Sequence, residues 1–284
     1  MQPLDPKEIR RAVQLALAED IGEGDVTTLA TVPENSPLTV VMRAREVLVV
    51  AGLSLAEAAF RELSPQLKIE PLARDGHHAK GGENLLRISG DARAILTAER
   101  VALNFVQRLS GIATLTAQFV DAIKGTHARI LDTRKTTPGL RRLEKYAVTC
   151  GGGVNLRIGL FDMVLIKDNH LAVLRDAEPN AVTAAVRQAR AKYPQLKVEV
   201  EADTLEQVEQ GAAAGADFVL LDNMTLVQLR LAVQKCKGRS KTEASGGVNL
   251  STVRAIAETG VDFISVGALT HSARAVDIGL DFEQ

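Results

Sequence analysis

The sequence predicts an α/β protein: an irregular, incomplete parallel α/β barrel of six or seven strands, preceded by a smaller domain of mixed helices and strands. Beyond Gly125, strand-like runs alternate with helical ones. The polar residues that end these runs, Lys167, Glu201, Asp222, Ser245 and Gly267, recur at spacings of about one strand plus one return helix, with too few units for a full eight-fold barrel. The first ninety or so residues lack this alternation and read as an α+β pattern. Arg134, Lys135 and Lys167 closely follow short apolar runs, at the strand exits where parallel α/β folds collect their chemistry.

Taken in order, residues 5–20 read as a helix, with Asp5 as N-cap, Pro6 in the first turn and Ile9, Val13, Ala16 and Leu17 on one face. IGEGDVTT breaks it. Residues 38–50 alternate as strand material, and 52–63 have helical spacing through Leu55, Ala59 and Leu63. Short strands follow at 67–71 and 85–89. A strong helix over 91–109 is expected to end at Ser110-Gly111, with a second helical run to about Lys124. The boundary is therefore set at Gly111, giving a first domain of 1–111 and a barrel of 112–272. Barrel strands are expected at 128–131, 163–166, 196–201, 217–221, 241–244 and 262–266. The terminal segment 273–284 reads as a strand returning to the first domain.

With 284 residues, 46% hydrophobic and 24% charged, the chain can build a core without staples. A net charge of -1, 3% aromatic residues and no Trp argue against a nucleic-acid binder. Cys150 and Cys236 have no paired spacing, so neither a disulfide framework nor a zinc site is indicated. MQPLDPKEIRRAV lacks the apolar centre of a signal peptide, and no run of eighteen apolar residues occurs; a cytoplasmic protein without membrane attachment is expected.

Arg134, Lys135, Arg157 and Lys167 at one mouth would suit a ligand with several negative charges, Arg as a bidentate fork and Lys as a point charge. Glu201 and Asp222, ending neighbouring strands, are the minimal anchor for Mg²⁺ that also touches substrate phosphates; the plainer alternative is that they cap helices. Glu199 is assigned to the opposite side of its strand. Ser245-Gly246-Gly247 and Gly267 bring glycine backbone to helix starts where a phosphate could approach, or else form tight packing turns. His170 and His271 are candidates for phosphate contacts or loop ordering, whereas His77, His78 and His127 read as ordinary polar positions. Arg141, Arg142 and Lys145 are expected on a solvated helix face. Lys167 could alternatively be a Schiff-base lysine of a barrel aldolase.

DTRKTTPGLR, CGGGVNLRIGLFD, LIKDNH, VEVE, LLDN, EASGG and SVGALTHS, in this order, together with ALAEDIGEGDVTT and ERVALNFVQRLSGIATLT, resemble the quinolinate phosphoribosyltransferase family over nearly the whole chain. The resemblance implies an N-terminal α/β sandwich domain, a barrel of about seven strands, and a homodimer, with a higher oligomer left open, whose active sites lie at the subunit interface. It further implies transfer of phosphoribose from phosphoribosyl pyrophosphate (PRPP) to quinolinate with decarboxylation, in NAD biosynthesis. Arg134, Arg157 and Lys167 would meet the quinolinate carboxylates, with Arg100 reaching in from the partner subunit. Lys135, Glu201 and Asp222 would hold PRPP and Mg²⁺, and Ser245, Gly246, Gly247, Gly267 and His271 would surround the sugar phosphate. Among these, Lys135, Lys167, Glu201 and Asp222 are the expected catalytic groups, and Glu201 and Asp222 the metal ligands. One position departs from the pattern: the chain has Leu156 where the resemblance leads to a His contacting the acceptor, and losing a charged hydrogen bond weakens binding by about 1.5 to 3 kcal/mol. A related transferase for another acidic ring and a noncatalytic phosphoribosyl-ligand sensor are the remaining alternatives.

Overall fold

The structure, a computed structural model, describes residues 3–283. Asp5 caps α1 (Pro6–Ile21) by accepting the Lys7 N–H at 2.9 Å, and Val13 and Leu17 are buried on its apolar stripe. A short helix, α2 (Val26–Thr31), follows where the sequence suggested only a break; Asp25 accepts the Thr28 N–H at 3.0 Å and supplies a cap that offsets the weak helix propensity of VTT. Then come β1 (Pro37–Ala44), β2 (Leu48–Val49), α3 (Leu53–Leu63), β3 (Lys68–Pro71), β4 (His78–Ala79) and β5 (Asn84–Asp91).

The helix expected to stop at Ser110-Gly111 instead continues as α4 (Ala92–Ala122). A Cβ on Gly111 would lie 1.9 Å from the carbonyl oxygen of Arg274, so this glycine permits close backbone packing and does not end the helix. The chain continues through β6 (Arg129–Leu131), α5 (Arg141–Cys150), β7 (Val164–Ile166), α6 (Asp168–Val173), α7 (Ala181–Lys192), β8 (Val198–Ala202), α8 (Leu205–Ala213) and β9 (Phe218–Asp222). It ends with α9 (Leu226–Cys236), β10 (Lys241–Ser245), α10 (Val253–Ala257), β11 (Phe263–Ser265), α11 (Ala268–His271) and β12 (Ile278–Phe282).

Two compact units result. Among the described residues, one comprises 3–117, 136–152 and 269–283, and the other 118–135 and 153–268. In the first, an antiparallel sheet runs β12-β1-β5-β3, so the terminal strand pairs with β1. In the second, six parallel strands run β6-β11-β10-β9-β8-β7. The first strand of this unit neighbours the last and each later strand neighbours the next, which is the order of a barrel left open between β6 and β7. A single parallel bridge from Leu131 to Val154 forms at the open edge of β6. Val198 and Val200 of β8 face outward into a core with Val182, Ala185 and Val186 of α7. No helix among the described residues is long and apolar enough to cross a membrane.

Candidate active site

In the parallel sheet, Glu201 and Glu243 are each in register with Leu220, and Asp222 is in register with Ser245. Side chains alternate along a strand and keep to one side across a register row. Glu199, Glu201, Leu220, Asp222, Glu243 and Ser245 therefore share the face opposite Val198 and Val200, the barrel interior. On that face, towards the strand starts, the rings of Phe218 and Phe263 lie 5.9 Å apart and fill the floor. Lys167 directly follows β7, whose Ile166 pairs with Val200, and so falls in the row of Glu201. The two meet, with Lys167 Nζ 3.1 Å from Glu201 Oε2.

Neither acid at the strand ends caps a helix. Thr204 and Thr225 do so, each accepting the N–H of the residue three positions on, Gln207 and Gln228, at 3.2 and 3.3 Å. This leaves Glu201 to Lys167, while Asp222 Oδ2 accepts from Asn223 Nδ2 at 2.6 Å. Asn223, in the left-handed region at φ 52°, donates its N–H to the carbonyl of Ser245 at 3.0 Å. A Cβ on Gly246 would stand 2.2 Å from Asn223 Oδ1, so packing against the loop after β9 accounts for that glycine; Gly247 faces open space. Gly267 sits between β11 and α11.

The remaining candidates differ in setting. Arg134 and Arg157 are half-buried, whereas Lys135 is exposed, its N–H donating to Thr133 Oγ1 at 3.1 Å. His170 orders its own loop, Nδ1 accepting the Lys167 N–H at 2.9 Å. In the other unit, Arg100 is exposed on α4 and His271 is exposed beside Ser272, with Nδ1 2.6 Å from Oγ. Lys145, expected on a solvated face, is instead 1% exposed: α5 turns Leu143, Glu144, Lys145, Ala147 and Val148 inward together.

Sequence reasoning missed a pair of interior acids. Glu199 was assigned to the wrong side of β8; two residues from Glu201, it must share that residue's face. It is 2% exposed and Glu243 4% exposed, and the two carboxyls are close neighbours in the interior. Such a meeting follows from barrel packing, in which alternate strands contribute side chains to one interior layer. Burial and the neighbouring Glu243 raise the Glu199 carboxyl well above the ordinary range, against the pull of Arg157. Ser265 donates its hydroxyl to Glu243 at 2.5 Å. Period-two alternation, counted from Glu201 and Ser245, was the signal that could have found both acids.

Among the described residues, no group of three or more His, Cys, Asp or Glu could hold a metal unaided. Glu201 and Asp222 each engage the protein through one oxygen in the contacts above, which fits a Mg²⁺ completed by substrate phosphates and water. Cys150 and Cys236 are buried, and burial pushes their thiols up to about 12 and about 11, so neither suits a nucleophile.

The chain matches family models for the N-terminal domain of quinolinate phosphoribosyl transferase over residues 25–110 and for its C-terminal domain over 112–281. It is 47% identical to the nicotinate-nucleotide pyrophosphorylase [carboxylating] of Mycobacterium leprae, covering 96% of each chain. It is 44% identical to the chloroplastic enzyme of that name from Arabidopsis thaliana, covering 97% of this chain and 83% of the relative. Among solved structures, the nicotinate-nucleotide pyrophosphorylase of Francisella tularensis superposes with a TM-score of 0.93 at 39% identity, over 99% of this chain and 98% of the other.

Proposed function

The chain belongs to the quinolinate phosphoribosyltransferase family, and from that premise we infer that it transfers phosphoribose from PRPP to quinolinate, releasing pyrophosphate and CO₂ and forming nicotinate mononucleotide. The observation that carries this reading is the alignment of cations and acids along one edge of the parallel sheet, anchored by the Lys167–Glu201 contact at 3.1 Å. Both substrates are polyanions, so a mouth that mixes fork-shaped and point cations with two acids suits them as a pair.

Arg134, Arg157 and Lys167 orient the two carboxylates of quinolinate, joined in a homodimer by Arg100 of the other copy. Lys135 takes charge of the departing pyrophosphate, and Glu201 and Asp222 hold Mg²⁺. When bound, that ion offsets the negative charge of the donor's phosphates. Ser245, Gly246, Gly247, Gly267 and His271 surround the sugar phosphate. As the bond to pyrophosphate lengthens, C1 of the ribose gains oxocarbenium character and the pyridine nitrogen attacks. That nitrogen carries no proton, so no general base is needed; the resulting N-glycosidic cation favours loss of the adjacent carboxylate as CO₂, and the electron pair left on that ring carbon takes up a proton from water. Rate enhancement comes from alignment and charge placement.

An aldolase lysine works from an apolar pocket, whereas Lys167 has a half-exposed side chain paired with Glu201. A noncatalytic sensor would not need two acids beside the basic mouth. The compartment proposed for the reaction is the cytoplasm. The deciding experiment measures pyrophosphate and CO₂ release from the purified protein with Mg²⁺ and PRPP, offering quinolinate and nicotinate separately. Release of both products with quinolinate alone is expected. Turnover of nicotinate in its place reassigns the acceptor, and borohydride trapping of a substrate on Lys167 would convert the reading to an aldolase.

A further inference from the structure

Glu144 of α5 is 0% exposed, yet it carries a carboxylate that no candidate role above uses. Its partners are few and specific. Arg108 Nη2, from α4, donates to Glu144 Oε1 at 3.0 Å; the hydroxyl of Thr137 donates to the same oxygen at 2.8 Å, and the Thr137 N–H to Oε2 at 3.0 Å. Arg108 then reaches onward, donating to the carbonyls of Thr270 and Ala273 at 2.6 Å each. One ion pair, sealed at Glu144 and partly exposed at Arg108, thus ties down two stretches of chain. The first is Thr137, two residues past Lys135. The second is 270–273, whose carbonyls flank His271.

Burying a carboxylate is costly unless its oxygens are filled, and a buried pair stabilises little compared with an apolar replacement of the same shape. What such a pair does supply is a single arrangement of the groups bonded to it. Here those groups are the N–H and hydroxyl of Thr137 and two carbonyls at and just beyond the end of α11, not core side chains. A Lys in place of Arg108 would keep the charge but lacks the planar fork that spans Glu144 and two carbonyls.

We propose that Arg108 and Glu144 are positioning residues for the phosphoribosyl donor, holding the loop just past Lys135 and the C-terminal end of α11, where His271 lies. The inference rests on the assignment of those two residues to PRPP. The acceptor side depends on it less: Arg134 is half-buried, with its Nε sealed from solvent, while the exposed Lys135 relies on how its loop is anchored.

The test is steady-state kinetics of the full-length protein carrying Thr137→Ala, Glu144→Gln or Arg108→Lys, varying PRPP and quinolinate in turn, with thermal melting of each variant alongside. Thr137→Ala changes only an exposed loop residue and guards against misfolding of the other two. The expected result is a rise of about tenfold in KM for PRPP, with less than about a twofold change in KM for quinolinate, because a hydrogen bond to a charged group is lost on one side only. Equal rises in both KM values, or an unchanged KM for PRPP in Thr137→Ala, would overturn the positioning role while leaving the reaction intact. A wild-type protein that releases no pyrophosphate from PRPP and quinolinate would overturn the functional reading and this inference with it.

Discussion

Glu199→Gln should change how stability depends on pH. Glu199 is nearly sealed from water, with a second carboxyl against it, and its proton is held above the ordinary glutamate range in the fold. A raised folded-state value means that the native chain binds this proton where the unfolded chain has released it. Stability from this source is full below the unfolded value near 4.5 and is lost as pH rises toward the folded value. One proton sets the slope at about 1.4 kcal/mol per pH unit, so wild type should lose at most about 2.7 kcal/mol between pH 5 and pH 7 through this group. Glutamine keeps the shape, donates permanently to Glu243 and does not titrate. The variant should therefore gain on wild type steadily as pH rises. The groups whose values are lowered, among them Asp162, Asp217 and Asp262, are ionised in both states above pH 5 and cancel in the comparison. Urea unfolding of both proteins at pH 5, 6, 7 and 8 at constant ionic strength measures the difference. Parallel curves would show that Glu199 ionises in the fold as it does outside it, and the account of the interior pair would be wrong.

Gly111→Ala should destabilise the protein by about 2 to 3 kcal/mol in the same assay, since its Cβ would meet the Arg274 carbonyl oxygen at 1.9 Å and backbone must move. Glu46 accepts from Arg274 Nη1 at 2.8 Å and the Asp277 N–H at 2.9 Å, and these bonds hold its carboxyl down at about 2. Glu46→Gln should thus be less stable than wild type at neutral pH, with the gap closing as pH falls from the ordinary glutamate range through about 2; a gap independent of pH would refute the cause. Leu156→His should lower KM for quinolinate by about tenfold or more, the fold-change equivalent of about 1.5 kcal/mol, while KM for PRPP stays constant.

Strand exits were legible because the strands are short apolar runs and the next residue changes character abruptly, as Ile166 to Lys167 does. Helix starts were less so. VEVEAD and LLDNM each offered an acid as a plausible cap, and only the structure assigns capping to Thr204 and Thr225, the Thr-x-x-Gln pairs one turn into each loop. That small shift frees Glu201 and Asp222 for a ligand. Gly111 misled for a related reason: a Ser-Gly pair is a good local stop signal, and the carbonyl that requires the glycine lies more than 160 residues away.

Buried ionic groups were the least legible feature, and the failure has a physical cause. A helical pattern scored on apolar residues turns charged positions outward by default, so Lys145 read as solvated although α5 buries both it and Glu144. Their burial depends on partners that periodicity cannot supply: Arg108 lies 36 residues from Glu144, and Thr137 approaches through the irregular loop after β6. Glu199 and Glu243 differ, because the information was present. Strand parity places Glu199 with Glu201 and Glu243 with Ser245, and a barrel interior must then contain all four. An acid two residues inside a site residue on the same strand is therefore to be read as part of the floor beneath that site.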